Sequence, residues 1–110
     1  MTNRRVIEYV REGSSPFPRR FSALDAQAAA KAAVALYRLE QGNMSNVRSV
    51  GKGVSEYKID FGPGYRIYFG QEGDDLVILL AGGAKKTQDK DIQIAQMLWT
   101  EYKQAKARKR

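Results

Sequence analysis

The chain of 110 residues contains no cysteine and no histidine. The lack of cysteine excludes disulfide bonds, thiolate zinc sites and cysteine nucleophiles. The lack of histidine removes the most common metal ligand and the side chain best suited to proton transfer near neutral pH. Any catalysis by this chain must therefore use Lys, Arg, Tyr, Asp, Glu, Ser or Thr.

Long apolar runs are also missing from the sequence. The first five residues lead into a short apolar stretch that lacks the hydrophobic region of a signal peptide. No stretch approaches the ~20 apolar residues that a membrane-spanning helix needs. We therefore expect a cytoplasmic protein with no membrane partner. The length suits a single small domain, expected over residues 1–105 with a frayed basic tail at 106–110, and we expect no cofactor.

Positive charge is in excess, with a net charge of +7. The basic excess lies in the first and last parts of the chain, whereas residues 51–84 are slightly acidic. Such a distribution favours polyanionic partners such as RNA, DNA or an acidic protein. The alternative is a charged surface that only keeps the protein soluble.

The first half of the chain predicts a strand followed by a helix. Residues 6–10 are β-branched and aromatic, as in a short strand. Ser22 and Asp25 fit a capping box. Gly42 and Asn43 provide a stop, and the loop that follows, residues 43–53, allows a short strand at 47–50. Between cap and stop, six apolar residues share one helical stripe: Leu24, Ala28, Ala32, Ala35, Leu36 and Leu39.

The second half predicts three strands and a helix. Residues 53–61 and 65–69 alternate with a period of two around a Gly-Pro-Gly turn. Residues 76–80 are an unbroken apolar run, as in a strand covered on both faces. Thr87 is a suitable N-cap for the last helix. The order β-α-β-β-β-α predicts an α+β fold, with an antiparallel meander of about four strands and an N-terminal and a C-terminal helix packed on it.

Alternation separates the two faces of the central hairpin. One face is apolar and must be core: Tyr57, Ile59, Tyr65, Ile67 and Phe69. The other face is polar and expected to be exposed: Glu56, Lys58, Asp60, Arg66 and Tyr68. The turn makes Lys58 and Arg66 neighbours, and Lys85 and Lys86 follow the next strand at one side of the same surface. Such a surface suits RNA, because cations bind phosphates and a base can stack on Tyr68. The alternative is the ordinary solvated face of an antiparallel sheet.

Two other patterns have simpler explanations. Gly82-Gly83 before Lys85 suggests a phosphate-binding loop, but the spacing does not fit a P-loop. Four acidic residues suggest a Mg²⁺ site, but they are placed where a turn and a helix start favour aspartate: Asp74, Asp75, Asp89 and Asp91. We therefore expect no nucleotide hydrolysis and no metal site.

Residues 53–69, GVSEYKIDFGPGYRIYF, closely resemble the central hairpin of the HigB-like addiction-module killer proteins. That group belongs to the RelE/ParE superfamily and includes phage-derived relatives. Residues 76–88 look like the group's last strand and the start of its last helix, and the resemblance covers residues 53–95 well. It implies a RelE-like fold similar to microbial ribonucleases. It also implies the toxin of a type II toxin–antitoxin module, an endoribonuclease that cuts mRNA in the ribosomal A site. The implied partner is an antitoxin, often a helix-turn-helix protein.

The chemistry implied by this resemblance needs no metal, because the RNA 2′-OH itself attacks the adjacent phosphate. Lys58 is our candidate base, since the charge of Arg66 would lower its pKa, and Glu56 is the rival base. Arg66 would clamp the phosphate. Lys85 or Lys86 would stabilise charge or protonate the leaving group, and Tyr68 would stack on a base or donate a hydrogen bond. Some relatives use histidine or residues near the chain end, so the acid and the stacking residue stay open.

Two alternatives remain. A ParE-like poison that binds gyrase would have the same fold without catalysis. A non-catalytic nucleic-acid-binding phage accessory protein would depend on the basic residues 103–110 more than on the hairpin.

Overall fold

The computed structural model describes residues 4–10, 26–62, 64–73 and 76–108. These form strand β1 (Arg5–Glu8), helix α1 (Ala26–Glu40), strands β2 (Val47–Gly51), β3 (Val54–Ile59), β4 (Tyr65–Glu72) and β5 (Leu76–Gly83), and helix α2 (Gln88–Arg108). A 3₁₀ turn over Lys85–Thr87 leads into α2.

The five strands form one sheet in the order β1-β5-β4-β3-β2. Strands β2 to β5 make the predicted antiparallel meander, and β1 adds to β5 in parallel. The α+β class is confirmed, but the expected strand count and order are wrong. The sheet has five strands, not about four, because the N-terminal strand joins the meander in parallel beside β5. Its partner strand β5 follows β1 by about 70 residues, so no local sequence pattern indicates that the two strands pair.

Helix α1 covers one face of the sheet with its alanine stripe. Four members of the predicted stripe are buried: Ala28, Ala32, Ala35 and Leu39. The helix ends as expected, because Gly42 has φ of 78°. The amide of Gly42 donates to the carbonyl of Leu39, and that of Asn43 donates to Arg38, which is the Schellman pattern. The capping box at residues 22–25 and Leu24 lie outside the described residues.

Helix α2 covers the other face, and Trp99 anchors it there. A Cβ atom built on Gly70 of β4 would lie 2.5 Å from the indole ring, so the ring packs directly on the strand backbone. Tyr102 stacks on the indole, with ring centroids 5.3 Å apart and planes 7° apart. The helix continues to Arg108 and Lys106 pairs with Glu72 of β4, so regular structure extends into the segment expected to be frayed.

Candidate functional site

The polar residues of the central hairpin share one side of the sheet, as the alternation predicts. Lys58 of β3 lies directly opposite Arg66 of β4, and Glu56 lies opposite Tyr68. Lys58 and Arg66 are therefore neighbours, as expected. The next strand brings Gly83 opposite Arg66.

That side of the sheet is not open to solvent, contrary to expectation. Tyr68, Glu56 and Arg66 are only 0%, 2% and 5% exposed, whereas Lys58 and Asp60 at the end of β3 are exposed. Helix α2 lies across this face and buries the Tyr68 ring in the same apolar cluster as Trp99. The Tyr68 ring therefore offers no face on which a base can stack. The polar pattern correctly predicted which residues share a side, but not that a helix covers most of them.

Glu56 is the centre of a buried polar group. Its Oε1 accepts a hydrogen bond from Arg48 Nε at 2.9 Å, and its Oε2 accepts one from Gln88 Nε2 at 2.8 Å. Arg66 Nε lies 3.6 Å from Oε2. Burial raises the pKa of Glu56, but the hydrogen bonds of Arg48 and Gln88 and the two arginine charges outweigh it and hold this pKa below its usual value. An ionised carboxylate with both oxygens engaged is poorly suited to be the rival base.

Arg66 spans the distance between Glu56 and the turn before β4. Its Nη1 donates to the carbonyl of Gly64 at 2.5 Å. Gly64 has φ of 79°, and a Cβ atom there would lie 3.2 Å from Arg66 Nη1 and 3.7 Å from Lys85 Cβ. The Arg66 side chain is only 7% exposed. The guanidinium therefore forms the floor of the site, and both it and Lys85 lie next to Gly64.

Exposed cations lie on β2, on β3 and in the 3₁₀ turn after β5. The side chains of Lys58 and Arg48 are 54% and 65% exposed, and Lys85 and Lys86 are exposed as well. Lys58 Nζ lies 3.5 Å from Asp60 Oδ1. On the side of the sheet that α1 covers, a separate groove of about 190 Å³ is lined by residues 57–60 and by Lys31 and Arg38 of α1. Lys58 is thus opposite Arg66, Arg48 is opposite Glu56, and Lys85 lies next to Gly64, whereas Lys31 and Arg38 belong to the side of the sheet that α1 covers.

Sequence reasoning missed Arg48. It lies in the short strand β2, directly opposite Glu56. The sequence did contain a signal: Arg48 stands eight positions before Glu56, with a tight turn between them. Two residues so placed can be opposite each other in a hairpin and form an ion pair. That signal is weak without knowledge of the register.

The buried Asp91 packs directly on the backbone of Gly83. Asp91 is 1% exposed and accepts a hydrogen bond from Thr87 Oγ1 at 2.6 Å. A Cβ atom on Gly83 would overlap the Asp91 carboxylate, so only glycine fits at this end of β5. The two glycines are part of the strand, not of a phosphate-binding loop. The described residues contain no group of acidic side chains arranged to hold a metal ion, and Asp74 and Asp75 lie outside them.

Comparison with known proteins gives two matches. Residues 19–100 match the model of the family described as "Phage derived protein Gp49-like (DUF891)". An uncharacterized protein of Haemophilus influenzae is 47% identical over 72 residues, which is 66% of this chain and 73% of the relative. In the described part of the chain, neither helix has the length and apolar character needed to span a membrane.

These matches confirm the resemblance at the level of the superfamily, whereas the narrower HigB assignment stays a prediction. The family match covers most of the chain, including the whole central hairpin and the start of α2. The chain belongs to the Gp49-like family of phage-derived proteins, which is a family of RelE/HigB-like toxins.

Proposed function

We propose that this chain is the toxin of a type II toxin–antitoxin module and an endoribonuclease that cleaves mRNA at the ribosome without a metal ion. A cytoplasmic location and a helix-turn-helix antitoxin are part of the same proposal. The observation that carries it is the direct cross-strand pairing of the exposed Lys58 with the buried Arg66, in a chain that belongs to a toxin family. Arg48, Lys85 and Lys86 add exposed positive charge on β2 and on the 3₁₀ turn after β5. A cationic surface is what a phosphodiester substrate requires.

The reaction needs two proton transfers and stabilisation of one extra negative charge. Lys58, in its neutral form, takes the proton of the RNA 2′-OH as that oxygen attacks the adjacent phosphorus. The bond from phosphorus to the 5′ oxygen breaks, and Lys85 or Lys86 gives a proton to the leaving oxygen. The products are a 2′,3′-cyclic phosphate and a free 5′-OH. Exposure of these three lysines supports their access to a substrate.

The buried residues take supporting roles in this proposal. Arg66 contributes positive charge from the floor of the site rather than a bidentate clamp, because its side chain is only 7% exposed. Glu56 holds Arg48 in place by accepting a hydrogen bond from its Nε, and it forms an ion pair with Arg66 at 3.6 Å. Tyr68 packs the core beneath them.

Inducible expression in a bacterium tests the proposal. The unchanged chain should arrest growth and generate transcripts that end in 2′,3′-cyclic phosphates. Lys58→Ala should relieve both effects. Arg108→Ala is the matched control, because it removes one exposed cation from the far end of α2 and should still arrest growth.

Other outcomes would contradict the proposal in recognisable ways. DNA-damage signalling without cut transcripts would indicate a gyrase poison. Binding of RNA without cleavage, lost on removal of residues 103–110 but not in Lys58→Ala, would indicate a non-catalytic nucleic-acid-binding protein.

A further inference from the structure

We propose that Arg48 binds a phosphate of the RNA next to the cleaved link, and that Glu56 is the positioning residue that orients the Arg48 guanidinium. This inference rests on the proposed function and adds a contact that the hairpin pattern did not indicate. It concerns β2, which lies next to β3 at the end of the sheet order.

Arg48 combines high exposure with a fixed anchor. Its side chain is 65% exposed, whereas its partner Glu56 is 2% exposed. The hydrogen bond uses Nε, which leaves the two amino groups of the guanidinium for a ligand. A guanidinium held by one edge presents a planar fork that suits the oxygens of a phosphate.

This pair differs from an ordinary surface ion pair. Surface pairs contribute little because two mobile side chains must be ordered to form them. Here the carboxylate is already immobile, since it is buried and also bonded to Gln88. The cost of ordering Arg48 is therefore smaller when a ligand arrives, which is the advantage of a pre-organised site.

Charge balance also favours an anionic ligand. Glu56 carries one negative charge and has two arginines beside it, Arg48 at 2.9 Å and Arg66 at 3.6 Å. These three groups together carry one excess positive charge, and Arg48 is the exposed member. An excess cation held at a fixed place attracts a phosphate more than a neutral pair would.

The position of Arg48 matches the path of a strand of RNA across the site. Glu56 and Lys58 are alternate residues of β3, so they lie on the same side and about 6.6 Å apart along the strand. Arg48 is level with Glu56 in the sheet. A ribose-phosphate chain whose cleaved link contacts Lys58 can therefore place a neighbouring phosphate on Arg48.

Binding to single-stranded RNA with 2′-O-methyl riboses, which cannot be cleaved, tests this inference. Fluorescence anisotropy gives the affinity at several salt concentrations. Arg48→Ala should weaken binding about tenfold and reduce the slope of log affinity against log salt by about 0.7, the value for one phosphate contact in a single strand. Arg48→Lys should keep the slope, because the charge is kept. Arg108→Ala should keep both slope and affinity.

Glu56→Gln separates positioning from charge. The variant should bind more weakly than the unchanged protein but keep its salt slope, because Arg48 is still present and only its orientation is lost. Since Glu56 is buried, its folding is checked by thermal unfolding. If it does not fold, Gln88→Ala, which removes the second hydrogen bond to the carboxylate, takes its place with the same expectation.

The results distinguish this inference from the proposed function. A salt slope that is unchanged in Arg48→Ala would overturn the Arg48 contact. A salt slope that falls as much in Arg48→Lys as in Arg48→Ala would also overturn it. Growth arrest that still depends on Lys58 would leave the nuclease proposal intact in that case. Failure of the unchanged protein to bind this RNA would overturn the Arg48 contact as well, whereas the nuclease proposal is decided by the transcript ends.

Discussion

Substituting Gly70 by alanine should destabilise the protein by about 2–3 kcal/mol, the upper part of the range for an overpacked core. The added Cβ would lie 2.5–2.6 Å from three atoms of the Trp99 ring, about 1 Å inside the separation at which carbons attract one another. The ring has little room to move away, because Tyr102 stacks on it. No positive φ is found at Gly70, so backbone strain does not contribute and the cost is steric.

Urea unfolding followed by far-ultraviolet circular dichroism measures this cost, and a lower melting temperature should accompany it. A double-mutant cycle supplies the control. Trp99→Phe shrinks the ring, so Gly70→Ala should cost less in a chain that also carries Trp99→Phe than in the natural chain. Neutral surface substitutions change the free energy of unfolding by less than about 0.5 kcal/mol. A change as small as that in Gly70→Ala would refute the close packing of Trp99 on β4.

Three further predictions concern other buried residues. Because the pKa of Glu56 is lowered in the folded chain, the ionised carboxylate stabilises the fold above pH 4.5, and this stabilisation is lost as the pH falls through the folded-state pKa. Urea unfolding between pH 7 and pH 3 should show the loss. In Glu56→Gln, the free energy of unfolding should fall less over the same pH range. Gly83→Ala should destabilise by about 2 kcal/mol or more, on the order of a strong overpacking effect, because its Cβ overlaps the Asp91 carboxylate; Gly83→Ala with Asp91→Ala should recover part of the loss in the same assay. Tyr68→Phe should leave growth arrest unchanged, because the ring is fully buried and has no access to RNA; relief of growth arrest by this change in a stably folded protein would show that Tyr68 contacts the substrate.

Local chemistry explains which parts of the fold were predictable. The end of α1 at Gly42 and the alternation along β3 and β4 depend on residues close in sequence, and both predictions were correct. The parallel pairing of β1 with β5 depends on residues far apart in sequence. Alternation carries no information about such pairing.

The candidate site shows the same division. A period of two assigns Glu56 and Tyr68 to one side of the sheet, but it does not say what lies on that side. The unbroken apolar run of residues 76–80 already indicated that the sheet is covered on both faces. Extending that conclusion to the neighbouring strand β4 would have predicted a buried Tyr68. Arg48 was missed for a different reason, because its importance depends on a hydrogen bond across a hairpin whose register was unknown.

The packing of Trp99 on Gly70 gives this protein a built-in optical probe. Trp99 is the one tryptophan in the chain, it is 5% exposed, and it sits where α2 meets the sheet. Its emission can be excited selectively, without labelling. Any ligand that loosens α2 will expose the indole to water and shift its emission to longer wavelength, so binding and helix release can be followed in one titration.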